Sequence, residues 1–446
     1  MTDTVSTRQE AIAFLYSRID YERNSSSLSA TDFKLERMRN LLTRLGDPHL
    51  VTPVVHIAGT KGKGSTAGMI ASCLDAAGYR VGKFTSPHID CFEERIQING
   101  QNLHESLLIT LTERLRQVTL QIDAETNGLN PTFFELTTAL AWLAFANQQV
   151  DLAVVEVGLG GRLDSTNLCQ PIITVITTIS RDHTHILGSR ISEIALEKAG
   201  IIKPGVPVVS GVTAPSAISV IEQSATGLQC SLDQIHSNFG FESDTRTDAV
   251  TLWTSHGELE VDSISNWPRH RLQNGATAFA TLQAMNASSH WRVSNAAIQS
   301  GLKSFSSGCR QQTLTTRPTV LVDAAHNWAS ATALVETITE QNSDHKVLIF
   351  GTSSDKDDAG LMRKLLPHFE TVILTEYRSS SRAQSAESLA EHAAHIGTQS
   401  VHLRKKAEDA FELARNVSTD GSLICVAGSF FLAAEIRAHV KNRNVY

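Results

Sequence analysis

The sequence has few of the features that mark membrane, secreted or nucleic-acid-binding proteins. No apolar run approaches the roughly 18 residues of a membrane-spanning helix. The start, MTDTVSTRQEAIAFLYSRIDYERN, is polar and mixed in charge, so we expect no signal peptide. The 6 cysteines form no CxxC pair, which favours reduced thiols over disulfides or a zinc site. The cysteines, the polar start and the lack of a long apolar run together predict a cytoplasmic protein. The net charge of -7 lacks the basic excess of a nucleic-acid-binding protein, so we expect small-molecule partners.

The length of 446 residues and the order of the apolar segments predict two α/β domains. From Pro53 onward, short apolar runs alternate with amphipathic stretches, a pattern typical of a mostly parallel sheet covered by helices on both faces. The pattern restarts after SFSSGCRQQ, the best linker candidate. We predict a phosphate-loop-containing domain over residues 1–304 and a smaller, Rossmann-like α/β domain over residues 305–446, with a ligand cleft between them.

The same pattern predicts individual segments. The predicted strands are PVVHIA, RVGKFT, DLAVVEV and ITVITTI in the first domain, and TVLVDAA, KVLIFG, TVILTE and SLICVAG in the second. Helices are predicted from Ser65 to about Gly78, after Pro131, from about Leu272 to Met285 and from Asn295 to Ser304. Residues 225–265 are polar and alternating, which predicts an antiparallel hairpin.

A glycine-rich loop, HIAGTKGKGST, lies between a predicted strand and a predicted helix. Glycines at such a place let backbone N–H groups and the helix N-terminus face a phosphate. Lys63 can reach the β- and γ-phosphates, although Gly64 separates it from the serine of the usual pattern. The alternative is a plain glycine turn with solvated lysines, and the strand–loop–helix context favours phosphate binding. The predicted phosphate-binding residues are Gly59, Thr60, Lys61, Gly62, Lys63, Gly64 and Ser65.

Polar residues follow three predicted strands of the first domain. Ser86 follows RVGKFT, Glu156 lies in DLAVVEV, and Asp182 and His183 follow ITVITTI. The carboxyl ends of parallel strands share one edge of a sheet, here the edge beside the phosphate loop. A carboxylate in an apolar strand is costly to bury unless it pairs or binds a metal, and Mg²⁺ prefers oxygen ligands. We predict magnesium binding by Glu156 and Ser86, with two alternatives open: an ion pair between Glu156 and Arg162, and a capping role for His183.

Eight motifs follow one another along the chain between residues 56 and 327: HIAGTKGKGST, FTSPHI, FEERIQING, TFFELTTALAW, DLAVVEVGLGGRLDSTN, ISRDHTHILG, EIALEKAGIIKPGVPVV and VDAAHN. In series they resemble the folylpolyglutamate synthase/dihydrofolate synthase family, a branch of the Mur ligase superfamily, and the resemblance covers the chain from about residue 30 to residue 435. The resemblance implies that ATP, with Mg²⁺, phosphorylates the carboxylate of a pteroate or folyl glutamate. L-glutamate then attacks the acyl phosphate, and ADP and phosphate are released. Amide formation from a free carboxylate requires such a leaving group, and magnesium and lysine stabilise the charge during phosphoryl transfer.

The resemblance also implies roles for single residues. Magnesium would be held by Ser86, Glu156 and His183. Catalysis would involve Lys63, His183 and Lys198, the last in the position of the family's carbamylated lysine. Further nucleotide contacts would come from Asn274, Arg310, Asp323 and His326, with closure of the cleft completing the site. The dihydropteroate pocket would include Thr132, Phe134 and Asp164.

Residue chemistry alone favours plainer roles for several of these side chains. Lys198 is typical of a lysine on a solvated helix face. The role implied by the resemblance would instead convert this cation into a carbamate anion, which can support a metal. Asp323 and His326 are typical of a strand-end turn with a helix cap. An aromatic residue on a helix, such as Phe134, more often belongs to the core.

The chain departs from the family's pattern at three places. The linker reads Gly308-Cys309-Arg310 where Pro-Gly-Arg is usual, although Arg310 keeps its spacing to Asp323. His270-Arg271 replaces the usual histidine–glutamine pair before Asn274. Lys61 replaces the commoner asparagine and adds a positive charge near the phosphates.

Two other functions compete with this prediction. A cell-wall Mur ligase would carry a nucleotide-sugar-binding domain before the phosphate loop, and only 58 residues precede Gly59. A non-catalytic P-loop regulator would need neither VDAAHN nor a second domain supplying Arg310 and Asp323. We therefore predict a monomeric ligase that uses both folates and dihydropteroate, without nucleic-acid or membrane partners.

Overall fold

The computed structural model describes residues 4–20, 35–88, 91–125, 130–244, 249–261, 264, 267–288, 290–305, 312–354, 356–379, 382–394, 396 and 400–443. The chain forms two compact units, Met1–Phe305 and Ser306–Tyr446. The predicted linker residues 306–311, with Arg310, lie outside the described residues. None of the described helices is long and apolar enough to cross a membrane.

The first unit combines helices with one large sheet and one small sheet. Its helices are α1 (Arg8–Tyr16), α2 (Leu35–Arg44), α3 (Lys63–Ala76), α4 (Glu105–Glu125), α5 (Phe133–Asn147), α6 (Thr184–Leu187), α7 (Ile191–Ala199), α8 (Pro215–Gly227), α9 (Arg269–Ser288) and α10 (Asn295–Ser304). Single 3₁₀ turns occupy Pro48–Leu50, Phe92–Arg95 and Ser165–Leu168. Its strands are β1 (Val54–Ala58), β2 (Val81–Phe84), β3 (Ile96–Ile98), β4 (Gln101–Asn102), β5 (Leu152–Glu156), β6 (Pro171–Ile176), β7 (Val208–Ser210), β8 (Leu232–Gln234), β9 (Phe239–Asp244), β10 (Ala249–Thr254) and β11 (Gly257–Val261).

The large sheet has the strand order β4-β3-β2-β5-β1-β6-β7-β8. The strands from β2 to β8 in this order run parallel, whereas β3 pairs antiparallel with both β2 and β4. Every residue of β1 and β5 is buried, because helices cover both faces of the sheet. Val55 and Ile57 of β1 pack into the core that includes residues of α3, α9 and α10. Val54 belongs to the opposite core, which includes residues of α4 and α5.

The second unit is a smaller α/β layer structure. Its strands are β12 (Gln312–Thr316), β13 (Thr319–Val322), β14 (Lys346–Phe350), β15 (Thr371–Thr375), β16 (Val401–Arg404) and β17 (Leu423–Ala427). Its helices are α11 (Trp328–Glu340), α12 (Asp358–Leu365), α13 (Ala386–Ala393), α14 (Ala407–Asn416) and α15 (Phe430–Arg443), with a 3₁₀ turn at Leu366–His368. The strand order is β12-β13-β17-β14-β15-β16, parallel except for the edge strand β12.

The predicted fold class, α/β with mostly parallel sheets, is confirmed. The predicted hairpin within residues 225–265 is part of a three-stranded antiparallel sheet of order β11-β10-β9 in the described residues. Helix α3 begins at Lys63, two residues before the predicted start, because Gly62 adopts a left-handed conformation and provides the helix N-cap. The short strands β3, β4, β7, β8, β12 and β16 were not predicted, because none of them contains a continuous apolar run long enough to indicate a buried strand.

Candidate active site

The phosphate loop, residues 59–62, connects β1 to α3. The first N–H groups of a helix have no partner within it, so those of Lys63, Gly64 and Ser65 can face an anion. Gly62 has φ of 84°. A Cβ atom at Gly62 would collide with Oδ1 of Asn274, a buried residue of α9. The structure therefore brings one predicted nucleotide contact, Asn274, against the predicted phosphate loop.

A second loop is hydrogen-bonded along the phosphate loop. Thr60 N–H donates to the Thr178 carbonyl at 2.6 Å, and the Thr60 hydroxyl lies 3.2 Å from the Ser180 carbonyl and 3.1 Å from the Ser180 amide. The hydroxyls of Thr177 and Thr178 donate to the Lys61 carbonyl at 2.7 and 3.0 Å. We call residues 177–180 the hydroxyl loop. It was not predicted, although the hydroxyl-rich TTIS after β6 was its signal in the sequence.

An ion pair between Lys61 and Asp182 lies next to His183. Lys61 Nζ lies 3.3 Å from Oδ2 of Asp182, and both side chains are about one-third exposed. The other carboxylate oxygen of Asp182 accepts the N–H of His183 at 3.1 Å. His183 has φ of 49° and ψ of 41°, and its exposed side chain precedes α6. The positive charge that Lys61 adds to the phosphate loop is therefore paired with Asp182. Asp182 directly precedes His183, a predicted magnesium ligand.

Glu156 is buried at the carboxyl end of β5. Its Oε1 atom lies 3.7 Å from Nζ of Lys63. The alternative partner, Arg162, instead pairs with Glu197 at 2.9 Å. Glu156 is 4% exposed. A buried carboxylate needs such a cation or a metal to compensate its charge, so the position is electrostatically suited to a cation.

Lys198 of α7 lies beneath the phosphate loop. It is 4% exposed, and its Nζ donates to the Gly59 carbonyl at 2.9 Å. The alternative of a solvated helix face is therefore wrong. Burial, reinforced by the positive charge of Lys63, lowers the pKa of Lys198 to about 7. A buried lysine with such a pKa is a functional-site candidate, because its amine is partly neutral near physiological pH.

The donor set around Glu156 fits Mg²⁺. Ser86 is half-buried and lies two residues beyond the end of β2, the strand that pairs with β5. Its hydroxyl and the Glu156 carboxylate are hard oxygen donors, and magnesium usually keeps several waters rather than an all-protein cage. Within the described ranges, no group of three or more His, Cys, Asp or Glu side chains gathers around a common point for a metal. Ser86 and Glu156 would therefore supply part of the coordination of a magnesium ion, with waters at other positions.

A buried arginine supports the segment after Ser86. Arg95 is 2% exposed, its Nε donates to Nδ1 of His88 at 2.7 Å, and its guanidinium lies 5.2 Å from the ring centre of Phe133. The Tyr16 hydroxyl of α1 lies 3.3 Å from Nε2 of His88. This cluster was not predicted, since His88, Arg95 and Phe133 come from three separate motifs and Tyr16 precedes all of them. It joins α1 to the segment that carries Ser86.

Two of the three predicted substrate residues, Phe134 and Asp164, adjoin a loop that we call the glycine loop, residues 158–161. Phe134 is half-buried, and a Cβ atom at Gly158 would collide with its ring. Asp164 is 4% exposed and accepts the N–H of Leu159 at 2.9 Å. Thr132 is the N-cap of α5, where its hydroxyl accepts the Glu135 N–H at 3.3 Å. Phe134 packs against the core of this unit but stays partly exposed, unlike Phe133 and Phe145, the buried aromatic residues of the same helix.

In the second unit, Asp323 and His326 lie at the carboxyl end of β13. Asp323 is 8% exposed and its N–H donates to the Val426 carbonyl at 2.9 Å. His326 Nδ1 lies 2.8 Å from the Ala324 carbonyl. The helix cap expected at this turn is present, but Asn327 makes it for α11. The two predicted nucleotide contacts of this unit therefore stand at the strand edge where ligands of parallel sheets bind.

Comparisons with known proteins agree with this architecture. Residues 57–282 match the Mur ligase middle domain, and residues 309–430 match the Mur ligase, glutamate ligase domain. The chain is therefore built as a Mur-type ligase.

Full-length relatives define the family. The chain is 34% identical over 415 residues to the dihydrofolate synthase/folylpolyglutamate synthase of Bacillus subtilis (strain 168), covering 91% of this chain and 95% of that protein. The folylpolyglutamate synthase structure from Thermotoga maritima matches with a TM-score of 0.84 and 31% identity over 98% of each chain. Escherichia coli FolC in complex with DHPP and ADP matches with a TM-score of 0.84 and 29% identity over 99% of this chain and 100% of that one. The chain belongs to the dihydrofolate synthase/folylpolyglutamate synthase family, as predicted.

Proposed function

We propose that this protein is an ADP-forming ligase that adds L-glutamate to tetrahydrofolates through an acyl phosphate, and that it also converts dihydropteroate to dihydrofolate. The observation that carries the proposal is the phosphate loop, with Lys63 beside the buried Glu156 and with Lys198 beneath Gly59. The second activity is supported by the FolC relative in complex with DHPP and ADP. It is further supported by Phe134 and Asp164, which adjoin one loop here.

The predicted site residues that would contact ATP, Mg²⁺ or the pterin have the following roles in this proposal. The ATP phosphates would lie on the phosphate loop and the first turn of α3, where Lys63 neutralises charge that develops during transfer. Mg²⁺ would be held by Ser86, Glu156 and His183, and would supply positive charge to the phosphoryl oxygens. The remaining nucleotide contacts would be Asn274, Arg310, Asp323 and His326. The pterin would contact Thr132, Phe134 and Asp164.

The proposed setting is a cytoplasmic monomer in which residues 1–304 form the ATP-binding domain and residues 305–446 the glutamate-ligase-type domain. The five described cysteines are free thiols, which supports a reducing compartment. The alternative of another amino-acid-adding Mur ligase would require a different carboxylate substrate. That alternative predicts ATP binding without folate-dependent turnover.

The test is ADP release by the purified protein with Mg-ATP and L-glutamate, with dihydropteroate or tetrahydrofolate added in parallel. Turnover with both substrates is expected. Turnover with tetrahydrofolate alone would remove the dihydropteroate half of the proposal. No turnover with either, despite measurable ATP binding, would favour another ligase or a nucleotide-binding regulator.

The magnesium assignment has its own test in Glu156→Gln, which keeps the shape of the side chain and removes its charge. We expect the Mg²⁺ concentration for half-maximal activity to rise at least about tenfold, because one charged oxygen ligand is lost. Glu387→Gln, at an exposed carboxylate of the second unit, is the matched control and should change nothing. An unchanged Mg²⁺ requirement in Glu156→Gln would contradict the assignment.

A further inference from the structure

A buried chain of polar side chains runs from the middle of β1 to the glycine loop. His56 is 0% exposed, and its Nε2 lies 2.8 Å from the hydroxyl oxygen of Thr166. The same hydroxyl lies 2.5 Å from Oδ1 of Asp164. Thr166 is also 0% exposed, so water does not compete for these contacts.

The direction of the protons in this chain follows from burial. Burial, with a smaller effect of the positive charge of Lys203, lowers the pKa of His56 to about 3, so the ring is neutral and carries one proton. Its Nδ1 has no hydrogen-bond partner among the described residues. A buried N–H without an acceptor is costly, so the proton belongs on Nε2 and is donated to Thr166. The single hydroxyl hydrogen of Thr166 is then available for Asp164.

Asp164 connects Thr166 to the glycine loop through hydrogen bonds. Its Oδ1 accepts both the hydroxyl and the N–H of Thr166, the latter at 3.0 Å. Its Oδ2 accepts the N–H of Leu159, within the glycine loop, at 2.9 Å. Gly158, the preceding residue, is the one whose missing Cβ leaves room for the ring of Phe134. The carboxylate thus fixes the backbone against which Phe134 packs.

We propose that His56 is a positioning residue for pterin binding, which acts through Thr166 and Asp164 to hold the glycine loop and Phe134 in the binding geometry. The inference rests on the proposed function only in assigning the pterin to Phe134 and Asp164. His56 touches neither substrate nor nucleotide in this scheme. Its role is to donate one hydrogen bond in a fixed direction.

The kinetic test uses three variants and a matched control. Thr166→Val removes the hydroxyl at nearly constant volume, His56→Leu removes the ring donor, and His56→Gln keeps an N–H donor at a similar reach. We expect KM for dihydropteroate to rise about tenfold in the first two, a factor that corresponds to the loss of one buried hydrogen bond, with KM for ATP changed less than about twofold. His56→Gln should restore most of the loss. Thr112→Val is the control, because Thr112 is also 0% exposed but its hydroxyl has no partner among the described residues.

Hydrogen exchange of the free enzyme provides a readout that does not depend on substrate. The amides of the glycine loop should exchange faster in Thr166→Val than in wild type, and should be unchanged in Thr112→Val. Equal increases of KM for dihydropteroate and ATP, or a His56→Gln variant no better than His56→Leu, would overturn the positioning role. So would unchanged exchange in Thr166→Val. A wild-type protein inactive with folates but with the expected exchange pattern would instead refute the proposed function and leave the hydrogen-bond chain supported.

Discussion

Lys198 is expected to react with CO₂ in the working enzyme, and both pH and CO₂ should therefore control activity. Only the neutral amine has the lone pair that attacks CO₂. With a pKa of about 7, roughly 70% of the Lys198 amine is neutral at about pH 7.4, against about 0.1% for an ordinary lysine. Burial therefore increases the neutral, reactive fraction of the Lys198 amine by a factor of roughly several hundred.

The surroundings of Lys198 also suit the product. The reaction turns a neutral amine and CO₂ into a carbamate anion and releases one proton, so a potential cation becomes an anion. The nitrogen keeps one hydrogen, so the 2.9 Å hydrogen bond to the Gly59 carbonyl can persist. Lys63, whose charge disfavours a protonated Lys198, would attract the carbamate. Occupancy should fall as pH drops through about 7, because the protonated amine cannot react.

The assay combines ¹³C NMR with turnover. In ¹³C-bicarbonate at about pH 8, wild type should give a carbamate resonance that Lys198→Met lacks. Lys203→Met should retain the resonance, and it is the matched control because burial also lowers the pKa of Lys203. Purging CO₂ should lower turnover, and added bicarbonate should restore it.

Two results would refute this reasoning. The first is that turnover stays unchanged after CO₂ is removed and that wild type shows no carbamate resonance dependent on Lys198. The other is a carbamate resonance that persists unchanged well below pH 7, because the lowered pKa of Lys198 would then not be the controlling property. A Lys198→Met variant with wild-type turnover would independently exclude a catalytic role.

Two further predictions concern the phosphate loop. Gly62→Ala should raise KM for ATP at least about tenfold, because the new methyl group collides with Asn274, whereas Gly78→Ala at a similar φ of 89° has nothing within 4 Å and should leave KM unchanged. Equal KM values in both variants would contradict the steric argument. Lys61→Met should raise KM for ATP only about threefold, since a one-third-exposed ion pair contributes little, and Lys405→Met at an exposed pair is the control. A change above about a hundredfold would instead indicate direct phosphate contact by Lys61.

The strands that form the sheet edge of the candidate site could be predicted from the sequence. Continuous apolar runs gave the strands β1, β2, β5 and β6, and these four are neighbours in the sheet. The polar residue that ends or follows each run could therefore be assigned to one edge. Glu156 beside Lys63 agrees with that assignment. Lys198 was different, because α7 has no sequence pattern that distinguishes a buried lysine from a solvated one, so its importance came from the family resemblance.

The contacts that stabilise the site were beyond prediction from pattern. The hydroxyl loop bonds to the phosphate loop about 117 residues away in the chain, as between Thr178 and Lys61. His56 lies within a strand whose other residues are apolar, and its partner Thr166 is 110 residues away. Hydrophobic periodicity predicts which face of a strand or helix a residue occupies. It does not predict which polar atom of a distant segment will form a hydrogen bond with that residue.

Strand pairing explains how these distant segments form one site. In the parallel pair of β1 and β5, Ile57 is directly opposite Glu156, so β5 ends beside the start of the phosphate loop. On the other side of β1, Ala58 is opposite Ile176, which brings the hydroxyl loop to the same level. A shift of one residue in β5 would replace Glu156 by a valine at this level and turn the carboxylate to the other face. The apolar residues that fix this register therefore determine where the carboxylate stands, although none of them has a role in the chemistry.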